Sequence, residues 1–239
     1  MNFYTLFHGD CLETLPNLPS NSIDLIVTDP PYFLPVNSYV STRDNPNPTR
    51  TLADTSILKN FFKNVFKELN RVLKPDGTYY VFCDAQSYPI FYEIMFPYNK
   101  YVRLLIWDKL ISYNGYTWRH QHELIAWGEG FNSKRVNTGD GDILKQRGVL
   151  QKDRLHPAEK PVELIKQLIA KHEHYETVLD PFAGSGSTLY ACQDLGKSCI
   201  SIELDESYCE IIKNRCFNRT FLDRDVKYNY SAHNGGFVQ

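Results

Sequence analysis

Long apolar runs and paired cysteines are both missing from this chain of 239 residues. No stretch approaches the roughly eighteen apolar residues of a membrane-spanning helix. The N-terminus lacks a basic region followed by an apolar one, so we expect neither a membrane span nor a secretory signal. The six cysteines contain no CxxC pair, which favours buried free thiols in a reducing compartment. We therefore expect a cytoplasmic protein.

An excess of basic residues is also absent. The chain has 26 Lys and Arg against 28 Asp and Glu, which gives a net charge of −2. The overall charge therefore does not indicate a nucleic-acid-binding protein, and a polyanionic ligand would need a local basic face. The clearly basic stretch lies within residues 128–155, where a solvated loop and a phosphate-contacting surface both stay open.

The apolar pattern predicts a single α/β domain. A chain of this length with 42% hydrophobic residues can bury one sizeable core. We assign residues 1–218 to this domain, with irregular loops at 33–54 and 128–155, and residues 219–239 to a polar C-terminal tail. Strands are predicted over 3–7, 23–28, 78–83, 101–107, 122–127, 177–180 and 198–202, and helices over 56–73, 86–95, 156 to about 172, 189–195 and 206–216.

A proline corner, Asp29-Pro30-Pro31-Tyr32, follows the apolar strand predicted over 23–28. Asp29 is biased to extended backbone because it precedes a proline, and both prolines have a fixed φ and no N–H. A carboxylate, the carbonyl of Pro30 and the aromatic face of Tyr32 are thus held close together. Such a corner suits a flat group that carries an amine, whereas a simple strand stop is the plain alternative.

A glycine-rich turn follows the strand predicted over 177–180. Gly184 and Gly186 have no side chain to obstruct a ligand, so backbone N–H groups can approach it. The turn lacks a Walker lysine and the full dinucleotide fingerprint, and alone it is weak evidence. Glu203 lies 17 residues after Gly186, about the separation at which a carboxylate can accept both ribose hydroxyls. With Asp180 meeting a cationic amine, the pocket would suit S-adenosylmethionine.

Two other polar groups have both a functional and a plain interpretation. Asp10 follows the first predicted strand, so it either lies at the ligand-binding edge of the sheet or caps a helical turn. His172 and His174 form a His-x-His pair at a helix end. With no cysteine partner nearby and no identifiable third ligand, we predict surface histidines and not a metal site.

The two motifs together resemble those of the amino-methylating DNA methyltransferases that act on adenine N6 or cytosine N4. Residues 28–32 are similar to the catalytic motif and residues 179–188 to the cofactor motif, and the likeness runs from His8 through residues 156–161 to about Cys216. The catalytic motif comes first, which is the β-type order of that family. The resemblance implies a single-domain Rossmann-like methyltransferase fold with a mostly parallel sheet, helices on both faces and a circularly permuted motif order.

The resemblance also assigns residues. Asp29, Pro30, Pro31 and Tyr32 would hold a flipped target base, with S-adenosylmethionine as the cofactor and no metal. The family usually has Asp-Pro-Pro-Tyr for adenine and Ser-Pro-Pro-Tyr for cytosine, so Asp29 favours adenine. The residues expected to surround the cofactor or line its cleft are Asp10, Cys11, Lys160, Asp180, Phe182, Ala183, Gly184, Ser185, Gly186, Ser187 and Glu203.

DNA is the substrate that the resemblance implies. We expect no separate recognition domain beyond Cys216, so the target sequence would be recognised by residues 33–54, 108–121 or 128–155, or by a partner. A restriction endonuclease, a specificity partner and a homodimer all stay open. Cytosine N4 and an RNA base are alternative targets, and a catalytically silent nucleic-acid-binding module is an alternative of another class. A protein glutamine methyltransferase also has a Pro-Pro-Tyr corner, but there the cofactor motif usually comes first.

Overall fold

The computed structural model describes residues 2–31, 55–111, 117–133, 139–218 and 227–231. No helix within these ranges is long and apolar enough to cross a membrane. The strands are β1 (Phe3–His8), β2 (Ile23–Thr28), β3 (Leu73–Cys83), β4 (Tyr101–Asp108), β5 (His122–Glu129), β6 (Ile143–Lys145), β7 (Thr177–Asp180), β8 (Ser198–Glu203) and β9 (Lys227–Ser231). The helices are α1 (Cys11–Thr14), α2 (Thr55–Val72), α3 (Tyr88–Met95), α4 (Val162–Ala170), α5 (Ser187–Leu195) and α6 (Glu206–Ile212).

The described strands form one mostly parallel sheet in the order β6-β4-β5-β3-β2-β7-β8-β1-β9. Only β5, among them, runs antiparallel to its neighbours. β2 and β7 are directly paired, so the strands that precede the proline corner and the glycine turn lie side by side although they are far apart in the chain. The carboxyl ends of β1, β2, β7 and β8 share one edge of the sheet, which is where α/β sheets bind ligands.

Helices cover both faces of the sheet. On one face, α2 and α3 contribute Phe62 and Phe91 to a buried core. On the other face, Leu164 of α4, Leu189 of α5 and Ile212 of α6 form a second core with the sheet. Because each strand sends alternate side chains to opposite faces, both layers of helices bury apolar surface. The architecture confirms the Rossmann-like α/β fold.

Most predicted elements are present, but two edge strands were not predicted. β6 lies inside the predicted loop at 128–155 and pairs with β4. β9 lies inside the predicted tail and pairs with β1. These strands have 3 and 5 residues and lie within polar segments, so the sequence pattern did not distinguish them from loop. The predicted helix over 206–216 is α6 followed by a π-helical turn, Lys213–Phe217. The helix predicted to open at 156 begins only at Val162, because Pro161 is extended and the residue before a proline is biased away from helix. Tyr32 and the predicted loop at 33–54 lie outside the described residues.

The cysteines are all free and buried, as predicted. Burial raises the pKa of Cys209 to about 12, with a smaller contribution from Glu203. Thiols in such surroundings stay protonated and behave as small apolar side chains.

The prediction that His172 lies at the surface is wrong. Its side chain is only 4% exposed, whereas His174 is exposed. His172 Nε2 is 2.8 Å from the hydroxyl oxygen of Tyr80, and its ring stacks on Tyr175 at a centroid distance of 4.7 Å. The turn after α4 packs against β3 of the sheet, and this contact cannot be deduced from the pattern of residues at the end of a helix. Among the described residues, no group of three or more His, Cys, Asp or Glu could hold a metal ion.

The buried position of His172 predicts a stability that depends on pH. Burial lowers the pKa of His172 from 6.5 to about 4. The unfolded chain therefore binds the proton more readily, and the stabilising contribution is complete above about pH 6.5 and is lost as the pH falls through about 4. We expect His172 to account for a loss of about 2 kcal/mol in unfolding free energy between about pH 6.5 and 5. Urea unfolding of the wild type and His172→Gln across this range should give the smaller pH slope in the variant, and equal slopes would contradict the expectation.

Candidate active site

A cleft of about 590 Å³ lies at the carboxyl ends of the central strands. Asp10 follows β1, Asp29 follows β2, Asp180 ends β7 and Glu203 ends β8, and all four line the cleft. Four carboxylates from four neighbouring strands thus face one cavity. Its volume is in the range of small-molecule binding sites.

The cleft brings together nearly all the predicted site residues. Asp29, Pro30 and Pro31 line it, while Tyr32 lies outside the described residues. Gly186 is not part of the lining. The other predicted cofactor residues all line the cleft: Asp10, Cys11, Lys160, Asp180, Phe182, Ala183, Gly184, Ser185, Ser187 and Glu203. Phe61 and Phe82 line it too, but aromatic residues within apolar patterns could not be told from ordinary core residues in the sequence.

The glycine turn between β7 and α5 needs left-handed backbone. Gly184 has a φ of 52° and Gly186 a φ of 80°, a region that residues with a side chain rarely adopt. A Cβ at Gly186 would lie 3.0 Å from the Ile212 side chain, whereas one at Gly184 would face the His156 ring at 3.7 Å. Gly186 therefore permits close packing of the turn on α6, and Gly184 faces the cleft.

The Glu203 carboxylate is bound to the backbone of the glycine turn. Its Oε2 accepts a hydrogen bond from the backbone N–H of Gly184 at 2.7 Å, and its Oε1 accepts one from the N–H of Asp205 at 2.9 Å. The carboxylate is therefore fixed in orientation. Since each carboxylate oxygen has two lone pairs, Glu203 retains the capacity to accept further hydrogen bonds from a ligand.

Asp180 is the most deeply buried carboxylate of the cleft, at 4% exposure. Its Oδ1 accepts hydrogen bonds from Thr28 Oγ1 at 2.9 Å and from the Phe182 N–H at 3.1 Å. Burial nevertheless raises the pKa of Asp180 to about 6, because the hydrogen bonds, including one with Thr188, only partly offset desolvation. A carboxylate that is desolvated to this degree favours a cationic partner.

Asp10 fits both of its predicted interpretations. Its side chain caps α1 by accepting a hydrogen bond from the Leu12 N–H at 2.8 Å, and it also lines the cleft. Burial raises the pKa of the neighbouring Cys11 to about 12, and the Asp10 charge acts in the same direction. Cys11 is therefore a neutral thiol in the cleft wall and not a nucleophile.

Lys160 makes a contact that the sequence did not predict. Its ammonium forms an ion pair with Oδ2 of Asp29 and lies 3.3 Å from Oε2 of Glu123. It also donates to the Ala158 carbonyl at 3.2 Å. Burial alone would lower the pKa of Lys160, but the carboxylates of Asp29 and Glu123 outweigh it and raise the pKa. Lys160 is therefore a buried cation beside the predicted catalytic carboxylate.

The segment at 156–161 forms the wall of the cleft opposite the glycine turn. Glu159 pairs with Arg215 at 2.8 Å, and Arg215 also donates to the Ser185 carbonyl at 3.1 Å, which ties the two walls together. The His156 ring packs edge-on against Tyr208 at 4.5 Å. Burial lowers the pKa of His156, although the carboxylates of Asp29 and Glu203 oppose this effect. Arg215 was not predicted, because a single arginine in a helical pattern carries no functional signal.

A proline corner next to a strand, glycine turn and helix, on a mostly parallel sheet, is the arrangement of a Rossmann-like methyltransferase. A family model described as DNA methylase, N6_N4_Mtase, matches residues 23–214. The chain belongs to this DNA methylase family. The match contains both motifs, including Asp29 and Asp180.

Comparison with individual proteins agrees with this assignment. The chain is 30% identical to the type II methyltransferase M.HpaI of Haemophilus parainfluenzae, over 88% of this chain and 73% of that protein. The structure is similar to that of M1.HpyAVI in its SAM complex, with a TM-score of 0.64 and 21% identity, covering 89% of this chain and 99% of the other. It is also similar to the cytosine-N4-specific PvuII DNA methyltransferase, with a TM-score of 0.69 and 18% identity, covering 94% and 90% of the two chains. These structural likenesses confirm the fold.

Proposed function

We propose that this DNA methylase transfers a methyl group from S-adenosylmethionine to the N6 amine of adenine in DNA. The observation that carries the proposal is the position of Asp29 and Asp180 at the ends of two paired strands, where both face one cleft. A base amine at Asp29 and a cationic cofactor at Asp180 would meet there. The SAM complex of M1.HpyAVI supports the choice of cofactor.

The residues of the cleft fit this cofactor. The buried Asp180 would hold a cationic group, since a positive charge relieves the unfavourable burial of its own. Glu203, fixed by two backbone N–H groups, would accept hydrogen bonds from the ribose hydroxyls. The side chain of Phe182 adds an apolar surface to the same cleft. When bound, S-adenosylmethionine supplies an electrophilic methyl group on a sulfonium centre.

The proline corner would prepare the target amine. The nitrogen lone pair of adenine N6 is delocalised into the ring, which makes the amine a poor nucleophile. If Asp29 and the Pro30 carbonyl accept hydrogen bonds from its two N–H groups, the nitrogen becomes pyramidal and its lone pair is directed into the cleft. Positioning and electrostatics then account for the catalysis, with no covalent enzyme intermediate. The neutral, buried cysteines need no part in it.

The base must leave the duplex to reach this cleft, which requires a few kcal/mol. Tyr32 would partly offset this by stacking on the flipped base. Residues 33–54 and 128–155 would contact the DNA and recognise the target sequence. Within the second segment, Arg154 is held by the carbonyls of Val149 and Pro157, at 3.0 and 2.9 Å, and is suited to a fixed phosphate contact. Because M.HpaI is a type II methyltransferase, we propose a specific target site shared with a restriction endonuclease.

The experiment that tests this proposal identifies the methylated nucleoside. The purified protein is incubated with unmethylated DNA and methyl-labelled S-adenosylmethionine, and the DNA is digested and separated by chromatography. We expect the label in N6-methyladenine, and methylome sequencing of DNA from expressing cells should then give one sequence context. Label in N4-methylcytosine would overturn the adenine assignment alone. Label only in an RNA control, or none in any substrate, would overturn DNA methylation itself.

A further inference from the structure

Four charged side chains of alternating sign lie in a row that ends at Asp29. Lys109, which follows β4, pairs with Oε1 of Glu123 at the start of β5. Oε2 of Glu123 lies 3.3 Å from the ammonium of Lys160, which in turn pairs with Asp29. The exposed fractions of the four side chains are only 15%, 22%, 7% and 20%, in the order Lys109, Glu123, Lys160 and Asp29. The row therefore runs largely out of contact with water.

Glu123 is held as an anion between two cations. Burial acts to raise the pKa of Glu123, but Lys160 and Lys109 outweigh it and lower the pKa. Each of its two oxygens faces a different lysine, so the carboxylate cannot turn without losing one of them. The position of Lys160 is thus fixed by Glu123 on one side and by Asp29 on the other.

Lys160 is further confined by its surroundings. Its ammonium lies 5.1 Å from the centre of the Phe82 ring and donates to the Ala158 carbonyl. Phe82 and Lys160 both line the cleft, so the pair with Asp29 is formed at the cleft wall itself. The ammonium therefore has little freedom to leave Asp29.

A row of buried ion pairs contributes little to the stability of the fold. Desolvation of buried ions offsets much of their mutual attraction, and apolar replacements are often as stable. The row crosses four segments, and the sheet already joins three of them, since β4 pairs with β5, β5 with β3 and β3 with β2. What it adds is a fixed position for Asp29 beside a cation.

We propose that Glu123 is a positioning residue of the methyl-transfer site. It holds Lys160, and Lys160 keeps Asp29 ionised and in one orientation, ready to accept a hydrogen bond from the target amine. Glu123 touches neither the amine nor the cofactor in this scheme. The proposal rests on the proposed function, and it moves Lys160 from the cofactor residues to the catalytic corner.

Glu123→Gln tests the proposal because it keeps the shape of the side chain and removes its charge. We expect kcat to fall about 10- to 100-fold while KM for S-adenosylmethionine stays within about twofold, since only the positioning of Asp29 is lost. Without the Glu123 charge the pKa of Lys160 falls, so the alkaline limb of the kcat profile should move to lower pH. Glu163→Gln is the control, because it makes the same chemical change in an exposed ion pair: Glu163 is 61% exposed and lies 3.0 Å from Lys166. That variant should match the wild type.

A second measurement separates this proposal from the proposed function. NMR titration of ¹⁵N-labelled lysine side chains follows Lys160 without any substrate, and its pKa should be lower in Glu123→Gln and in Asp29→Asn than in the wild type. If the wild type methylates no DNA, the proposed function fails, whatever the titration shows. If Glu123→Gln lowers the pKa of Lys160 but leaves kcat and its pH profile unchanged, the positioning role is overturned while methylation stands.

Glu123→Asp covers the case in which Glu123→Gln folds poorly. This variant keeps the charge but draws the carboxylate back by one methylene. Lys160 should then titrate nearly as in the wild type, whereas kcat should fall because the ammonium no longer holds Asp29 in place. An unchanged kcat in this variant would also overturn the positioning role.

Discussion

Asp29→Asn is expected to lower the rate of methyl transfer by about 10³-fold and to leave the affinity for S-adenosylmethionine within about twofold. The substitution keeps the size of the side chain but removes the charge that pairs with Lys160. An amide also presents an N–H donor where the target amine needs an acceptor. Lys160 would pair with the amide oxygen, which leaves the NH2 group of Asn facing the amine. Single-turnover measurements with methyl-labelled cofactor give the rate, and calorimetry without DNA gives the affinity.

Asp194→Asn is the matched control for this variant. Asp194 has a similar exposed fraction, 24%, lies 3.4 Å from the Lys166 ammonium and does not line the cleft. It should methylate DNA at the rate of the wild type. Near wild-type activity of Asp29→Asn on every DNA tested would show that the proline corner does not hold the target amine. A large loss of cofactor affinity in the same variant would instead place Asp29 in the cofactor site.

The elements that carry the two motifs were predictable because their signals are local. The apolar runs at β2 and β7 have the predicted bounds, and each ends in residues with a fixed backbone preference, two prolines in one case and glycines in the other. Parallel strands place their carboxyl ends together, so a shared cleft followed from the fold class. The pairing of β2 with β7 could not be deduced, because strand order depends on packing between distant segments.

The contacts that organise the charges of the site were beyond prediction. Lys160 and Asp29 are 131 positions apart, and no pattern in the sequence joins them. Glu123 lies at the polar start of a predicted strand, where a glutamate is ordinarily solvent-facing. Only the antiparallel direction of β5 brings it to the edge where Asp29 lies. The prediction that His172 lies at the surface was wrong for a similar reason, since its partner Tyr80 comes from β3. Long-range polar contacts of this kind arise from the packing of the whole fold.

The charge of Asp180 predicts a conflict between stability and binding. Its folded-state pKa, about 6, exceeds the ordinary value of 3.8, so the folded state binds the proton more readily. Relative to the unfolded chain, stability is therefore complete below about pH 3.8 and is lost as the pH rises through about 6. At neutral pH the ionised carboxylate costs the protein without cofactor about 3 kcal/mol. A bound cation would recover this free energy, which ties the affinity to the buried charge.

Asp180→Asn should therefore stabilise the protein without cofactor and weaken cofactor binding. The Asn oxygen can still accept from Thr28 and Phe182, so these two hydrogen bonds survive while the buried charge is removed. At pH 7.5 we expect a melting temperature several degrees above that of the wild type, and cofactor affinity at least about tenfold lower.

The pH dependence of binding distinguishes this mechanism from simple loss of a contact. The wild type should lose affinity by about tenfold per pH unit below about 6, as Asp180 takes up a proton and no longer attracts the cationic cofactor. Asp180→Asn has no such group, so its affinity should stay nearly constant over the same range. Calorimetry from pH 5 to 8 on both proteins measures the two curves. Parallel curves, or a variant that melts below the wild type at pH 7.5, would mean that Asp180 serves the fold and not the cofactor.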